Sequence, residues 1–183
     1  MRSVENLGPY PAGQALLADD ILEFHAARLL LLLDTCGIKG RIDGLTKLAK
    51  LDFFVRYPAF FYELHGLVDP RPDISEVESP MIRYHYGPWD QRYYHVLSFL
   101  ESRNLIRIEK QGKSYVFKLT EPGQSVASGL KEKASFSKPI EHMKRVKKAL
   151  GGKSGTSLKK LVYATFDDQV ANRRLGEVIR HGG

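Results

Sequence analysis

The chain has 183 residues, of which 43% are apolar, so it can form one compact domain with a real core, alone or with a small extension. Its single cysteine, Cys36, excludes an internal disulfide. Its most apolar run (ARLLLLLDTCG) is far shorter than the ~20 residues that span a bilayer, and no signal peptide is visible. We therefore expect a cytoplasmic protein with no membrane partner. The formal net charge of +7 arises in the second half of the chain, because residues 1–100 include 10 basic and 13 acidic residues, whereas residues 101–183 include 18 basic and 8 acidic residues. This excess of basic residues indicates a polyanion or an acidic surface of a partner protein as the binding partner.

The first 65 residues predict an arm followed by helices. Residues 1–18 contain Gly and Pro without a hydrophobic period, which is typical of an arm or loop. The first helix begins at Asp19 and Asp20, which supply an N-cap, and ends at Gly37. The second helix has apolar residues at helical spacing, namely Ile42, Leu45, Leu48 and Ala49. Pro58 stops or offsets it, and AFFYELHG predicts a short aromatic helix.

Residues 83–123, RYHYGPWDQRYYHVLSFLESRNLIRIEKQGKSYVFKLTEPG, have the order of elements found in the second half of a winged helix. A helix opens at Pro88, a favoured first-turn residue, and continues to residue 104. Its predicted buried stripe consists of Trp89, Tyr93, Val96, Leu97 and Leu100. LIRIEK and SYVFKLT alternate as strands around the loop QGK, which predicts a wing over residues 105–119. Thr120 then caps a further helix.

We therefore expect a mainly α-helical fold with a small β-hairpin wing, that is, a winged helix-turn-helix domain with a C-terminal helical extension. The predicted organisation is an N-terminal arm (1–18), a winged-helix domain (19–134) and a basic helical appendage (135–183). The appendage includes an amphipathic helix whose apolar face consists of Ile140, Met143, Val146 and Leu150.

No motif in the sequence indicates catalysis. The six histidines lack the HxH or HExxH spacing of a metal site, and neither a GxxxxGK[ST] phosphate loop nor a GxSxG nucleophile elbow occurs. The acidic run DPRPDISEVE is interrupted by proline and is not followed by the lysine that a metal-dependent nuclease often carries. We therefore predict a protein that is not an enzyme and has no catalytic residue, metal or cofactor.

Basic residues predict non-specific contact with double-stranded DNA through the wing and the C-terminal helices. The outward face and borders of helix 88–104 carry two arginines against two carboxylates, and a neutral helix binds phosphates weakly. Residues 131–160, with ten basic and two acidic residues, are better suited. The predicted DNA contacts are Lys110, Lys113, Lys144, Arg145, Lys147, Lys148, Lys153, Lys159 and Lys160. Two alternatives are a solvated helix face and docking onto an acidic surface of a partner protein.

A protein interface is predicted at two places. The segment RYPAFFYELHG is more apolar than a helix end in a small domain needs to be, so Phe60, Phe61 and Tyr62 are candidates for contact with a partner. The alternative is that all three belong to the core. The outward face of helix 88–104 adds Gln91, Arg92 and His95.

Four segments carry a resemblance to a known family: GRIDGLTKLAKLDFFVRYPAFF, ESPMIRYHYGPWDQRYYHVLSFLESRNLI, YVFKLTEPGQSVA and RRLGEVI. Together they resemble the middle component of ABC-three-component systems, the winged-helix accessory subunits of Lamassu-type bacterial anti-phage defence. The resemblance covers about residues 20–180. Similar patterns occur in other bacterial winged-helix families, including Panacea antitoxin-like domains.

The resemblance implies a non-catalytic subunit that bridges or regulates an SMC-like ATPase and a separate effector, commonly a nuclease. It implies no catalytic residue. The matching motifs are structural: Leu45, Leu48 and Leu51 correspond to core positions, and Gly87-Pro88-Trp89 to a helix-opening turn. The alternative function is a free-standing winged-helix DNA-binding transcription regulator or antitoxin.

Overall fold

The structure is a computed structural model that describes residues 21–68 and 80–181. This part of the chain is mostly helical with a small antiparallel sheet, which confirms the predicted α-rich class with a β-hairpin. The predicted arm (1–18), the capping residues Asp19 and Asp20, and the acidic run from residue 69 to 78 lie outside the described residues. Across those two ranges, every helix is too short or too polar to cross a membrane.

Helix α1 (Leu22–Cys36) is the centre of the core, because its residues from Leu29 to Leu33 are all buried. Its predicted end at Gly37 is confirmed. The amide of Gly37 donates to the carbonyl of Leu33 at 3.1 Å. A Cβ at position 37 would lie 2.2 Å from that oxygen, so glycine is required by the close approach of the backbone.

Two consecutive helices follow α1. Helix α2 (Leu45–Arg56) ends just before Pro58, and α3 (Pro58–Leu64) begins there, so the predicted role of Pro58 is confirmed. The prediction that Ile42 belongs to α2 is wrong. Ile42 lies in strand β1 (Arg41–Asp43) and pairs with Phe117, because Gly44, with φ of +94°, separates strand from helix.

The hairpin predicted for residues 105–119 is confirmed. Strands β4 (Ile106–Gln111) and β5 (Ser114–Leu119) pair in antiparallel register from Ile106–Leu119 to Gln111–Ser114. The two turn residues include Gly112, whose φ of +60° favours glycine. Strand β1 pairs with the other edge of β5, which gives the sheet order β1-β5-β4.

The helix predicted from Pro88 begins five residues later. Residues Gly87–Trp89 form strand β3, which pairs with β2 (Ile82–Tyr84), and α4 covers Tyr93–Ser102. Gly87 has a φ of +98°, which a helix does not permit. The Asp90 carboxylate accepts from the amide of Arg92 at 2.9 Å and so satisfies a donor just before the helix. Of the predicted stripe, Tyr93, Val96, Leu97 and Leu100 are buried on α4, whereas Trp89 lies in β3 and is half-buried.

The C-terminal helices share the core with the rest of the chain. They are α5 (Glu121–Lys131), α6 (Ser137–Leu150) and α7 (Gly155–Thr165), and Thr120 caps α5 as predicted, by accepting from the amide of Gly123. The apolar face predicted for α6 is buried against α1 and α2, while α7 packs on α2. One core cluster therefore extends across the domain boundary predicted at residue 134.

Candidate functional site

A buried ion-pair network fixes the start of α4. The carboxylate of Asp52 on α2 accepts from Arg28 on α1 at 3.0 Å. Asp90, just before α4, lies 2.6 Å from Arg56 and 2.9 Å from Arg92, measured from carboxylate oxygen to guanidinium nitrogen. Arg28 is also 3.9 Å from Asp90, so it joins the two carboxylates. The network links α1, α2 and the β3–α4 junction.

Two further side chains complete this network. The hydroxyl of Tyr93 donates to Asp52 at 2.7 Å, and burial raises the pKa of Tyr93 well above its usual value. His25 lies between two guanidinium groups, 2.9 Å from both Arg28 and Arg92. Burial alone would raise the pKa of Asp90, but hydrogen bonds from Arg92 and the charge of Arg56 outweigh it and hold that pKa well below its usual range.

The network corrects the predicted role of Arg92. Sequence reasoning placed Arg92 among the partner-facing residues of α4, but its guanidinium is bound to Asp90 and His25 and is half-buried. Gln91 and His95 are exposed, as predicted. The other members of the network were missed by the sequence analysis. The available signal was the presence of charged residues at core-facing positions of α1 and α2.

The exposed side of α4 is neutral and carries an aromatic ring. We name the exposed residues Gln91, Tyr94, His95 and Ser98 the α4 face; they fall at positions i, i+3, i+4 and i+7, so they share one side. Tyr94 is 65% exposed and its ring centroid lies 5.6 Å from that of Trp89. None of these four residues carries a guanidinium or ammonium group, so the α4 face binds phosphate weakly.

A second surface combines tyrosines with cations, and we name it the tyrosine–cation surface: Arg83, Tyr86, Lys159 and Tyr163, with Lys50 beneath them. Lys159 and Tyr163 are one helical turn apart on α7 and face the β2–β3 hairpin. The ammonium of Lys159 lies 4.6 Å from the ring centroid of Tyr86 and 5.8 Å from that of Tyr163. The guanidinium of Arg83 lies 5.7 Å from the Tyr163 ring.

Lys50 is the buried part of the tyrosine–cation surface. It is 1% exposed, and its ammonium donates to the carbonyl of Pro88 at 3.0 Å. Burial, followed by the positive charges of Lys159 and Arg83, lowers the pKa of Lys50 to about 7. A Cβ on Gly87 would lie 3.5 Å from the Lys50 nitrogen and 3.6 Å from the Tyr163 ring, so the three groups are adjacent.

The nine predicted DNA contacts fall into two groups. Six are exposed and unpaired among the described residues, at the hairpin β4–β5, on α6, in the turn after α6 and on α7: Lys110, Lys113, Lys144, Lys148, Lys153 and Lys160. Three are engaged within the protein. Arg145 pairs with Glu141 at 2.7 Å and donates to the Tyr62 hydroxyl, and Lys159 is half-buried against the tyrosines.

Lys147 is the clearest correction in this set. Its ammonium donates to the carbonyls of Cys36 and Gly37, so it satisfies orphan carbonyl groups at the C-terminus of α1. The sequence analysis counted it, together with Lys144 and Lys148, among the predicted DNA contacts. The structure turns Lys147 inward and half-buries it.

The predicted aromatic interface on α3 is wrong, and the alternative that these residues belong to the core holds. Phe60, Phe61 and Tyr62 are all buried. The ring centroid of Phe60 lies 4.9 Å from that of Phe166, and that of Phe61 lies 5.2 Å from His142. These contacts come from the C-terminal helices, which cover a segment that looks exposed when α1 to α3 are considered alone.

Together, the described residues define a mostly helical protein with a small antiparallel sheet, a neutral α4 face and a tyrosine–cation surface. No protein-family model matches the sequence, and no curated protein and no solved structure shows significant similarity to it. Within residues 21–68 and 80–181, no group of three or more His, Cys, Asp or Glu residues is placed to hold a metal ion.

Proposed function

We propose that this chain is a winged-helix, non-catalytic accessory subunit that bridges or regulates an SMC-like ATPase and its effector nuclease in a cytoplasmic bacterial anti-phage defence complex. The order of elements supports the fold. Without α3 and the β2–β3 hairpin, the chain runs α1–β1–α2–α4–β4–β5, and the sheet order is β1-β5-β4. A winged helix has this order, with α4 as its recognition helix and β4–β5 as its wing.

The neutral α4 face is the observation that carries the proposed role. A helix that reads DNA presents basic and amide side chains to the major groove. Here Arg92 is held by Asp90 and His25, and the exposed residues are Gln91, Tyr94, His95 and Ser98. An exposed tyrosine among neutral neighbours is typical of the centre of a protein interface. The α4 face therefore contacts the ATPase or the effector.

Substitution of Tyr94 tests this role. The tagged chain is co-expressed with the genes adjacent to it, and the proteins that remain bound are identified by mass spectrometry. We expect Tyr94→Ser to lose the ATPase or the effector, because truncating a central aromatic residue removes much of the binding energy. Tyr115→Ser is the matched control, because Tyr115 is also exposed but lies on the wing. Equal recovery of both partners with Tyr94→Ser and the control contradicts the assignment.

The exposed wing lysines favour the second candidate, a free-standing winged-helix transcription regulator or antitoxin. Lys113 lies in the turn of the hairpin and Lys110 near the end of β4, so both can contact phosphates without reading bases. This role requires a specific site. A footprint on a palindromic site in its own promoter, or a toxin gene beside its own gene, favours the regulator or antitoxin. An adjacent gene for an SMC-like ATPase favours the defence subunit.

A further inference from the structure

Three basic side chains, Lys50, Arg83 and Lys159, meet at the tyrosine–cation surface, and within residues 21–68 and 80–181 no carboxylate forms an ion pair with them. Lys50 can donate three hydrogen bonds as an ammonium group, and the described residues supply it with one acceptor, the carbonyl of Pro88. The buried Nε of Arg83 has no hydrogen-bond partner in that part of the chain, although its Nη1 donates to the carbonyl of Tyr84. The ammonium of Lys159 contacts the rings of Tyr86 and Tyr163.

Glu177 is bound to Arg83 through its backbone, but its carboxylate forms no ion pair with the described residues of this cluster. The carbonyl of Glu177 accepts from the amide of Arg83 at 2.7 Å, but its carboxylate accepts from the amide of Arg174 at 2.9 Å. The hydroxyl of Tyr163 points to the carbonyl of His85. The cluster is therefore a concentration of donors and positive charge, and an anion is the ligand that satisfies it.

Exposed aromatic rings beside these cations identify the kind of anion. Tyr86 is 59% exposed at the turn of the β2–β3 hairpin, and Lys159 covers one face of its ring. Tyr84 is also exposed and continues the aromatic surface towards Trp89, with ring centroids 5.7 Å apart. Single-stranded nucleic acid is bound by cations that contact its phosphates and by neighbouring open rings on which its bases stack.

We propose that the tyrosine–cation surface binds single-stranded nucleic acid, with Arg83 and Lys159 contacting a phosphodiester, Lys50 adding positive charge beneath them, and Tyr86 stacking on the adjacent base. This activity goes beyond the proposed subunit role and uses different residues from the α4 face. It also differs from the duplex contacts predicted for the wing and α6, because stacking requires unpaired bases.

Fluorescence anisotropy with a labelled 15-nucleotide oligo(dT) tests the proposal on the full-length chain at about 50 mM salt. We expect Tyr86→Leu to weaken binding roughly tenfold, because the variant lacks the aromatic ring on which a base stacks. Tyr86→Trp should retain binding, since it preserves the ring. Tyr115→Leu and Lys138→Ala are the matched controls, one for an exposed tyrosine and one for an exposed lysine, and neither should change the affinity.

The salt dependence tests the phosphate contacts separately. Lys159→Ala should lower the slope of log affinity against log salt by about 0.7, the value for one phosphate contact on a single strand. A competition with thymidine monophosphate and with inorganic phosphate distinguishes a strand-binding site from a site for a free nucleotide or phosphate. Equal competition by thymidine monophosphate and oligo(dT) contradicts the strand assignment.

Three results overturn the proposal: no binding of oligo(dT) at low salt, equal affinities for Tyr86→Leu and Tyr115→Leu, or a loss of oligo(dT) binding that follows Lys144→Ala instead of Lys159→Ala. Tyr86 is mostly exposed, so its substitution leaves the fold intact, and thermal unfolding of each variant verifies this. Failure of this test leaves the α4 face unaffected, because that face is tested by partner recovery.

Discussion

At the scale of single residues, buried charges have two opposite roles. Asp90 holds two arginines and fixes the start of α4, so its charge is compensated. Lys50 is also buried, but its amino group is bound to one carbonyl oxygen, that of Pro88, and its charged neighbours are the cations Lys159 and Arg83. The first arrangement compensates its charges, and the second costs free energy, which accords with the binding role that we propose for this surface.

The buried amine of Lys50 predicts a pH-dependent stability. Its pKa is about 7 in the folded chain against 10.5 for the ordinary side chain, so the unfolded chain binds more protons between those values. The free energy of unfolding should therefore rise with pH across this window, by at most ~1.4 kcal/mol per pH unit. Lys50→Met lacks this contribution. Urea unfolding is measured for both chains from pH 7 to 10. The free energy of unfolding of the unchanged chain should rise relative to that of Lys50→Met as pH rises, whereas a constant difference between the two contradicts the prediction.

Removal of the Asp90 charge should destabilise the chain strongly. Asp90→Asn leaves Arg56 and Arg92 without the carboxylate that binds them, and breaking a buried pair costs about 3–5 kcal/mol. Because the pKa of Asp90 lies below its usual value, its contribution is present above about pH 4 and is lost as pH falls. Asp43→Asn is the control, since its pair with Arg41 is exposed and worth ~1 kcal/mol or less. Similar losses in both variants, measured by chemical denaturation, count against the network.

At the scale of elements, α6 separates structural lysines from free ones. Its inner face is apolar and buried, Lys147 is bound to the end of α1, and Lys144 and Lys148 remain exposed. The sequence predicts the helix and its apolar face because both depend on local periodicity. The inward direction of Lys147 depends on α1, which lies 110 residues earlier in the chain, and so could not be read from spacing alone.

Two exposed lysines of α6, Lys144 and Lys148, should contribute to duplex binding without affecting stability. Lys144→Ala with Lys148→Ala should flatten the salt slope on random-sequence duplex DNA by roughly 2 units, if each lysine contacts one phosphate. Lys147→Met should leave that slope unchanged and lower the free energy of unfolding by ~1.5–3 kcal/mol, since it removes charged hydrogen bonds. Binding is measured from about 50 to 200 mM salt. An unchanged slope in the double variant supports docking of α6 on an acidic protein surface instead.

The strands show where prediction from the sequence succeeds and fails. β4 and β5 are neighbours joined by a glycine turn, so alternation and turn chemistry predict them. β1, β2 and β3 have three residues each, too few for a period, and β1 exists because it pairs with β5 more than 70 residues away. Gly87 and Pro88 suit either a turn or a helix start, and the hairpin pairing decides between them.

At the scale of the whole molecule, one core supports three different surfaces. The α4 face is neutral and aromatic, the tyrosine–cation surface is basic and aromatic, and the exposed lysines of the wing and α6 are basic without aromatic rings. The core that joins them includes residues from α1 through Ile179, so their relative placement depends on the packing of the complete chain. Several independent surfaces on one small core suit a subunit that holds different partners together.

Native mass spectrometry of the tagged chain, purified from its own host at physiological salt, tests the proposed subunit role most directly. The proposal predicts an assembly that contains this chain, an SMC-like ATPase and a nuclease-like effector, with the ATPase identified by its peptides. The Tyr94→Ser chain should lose at least one of these partners, and the Tyr115→Ser chain should keep both. Recovery of the wild-type chain alone, or bound only to a small toxin or to its own promoter, would contradict the subunit role and favour the regulator.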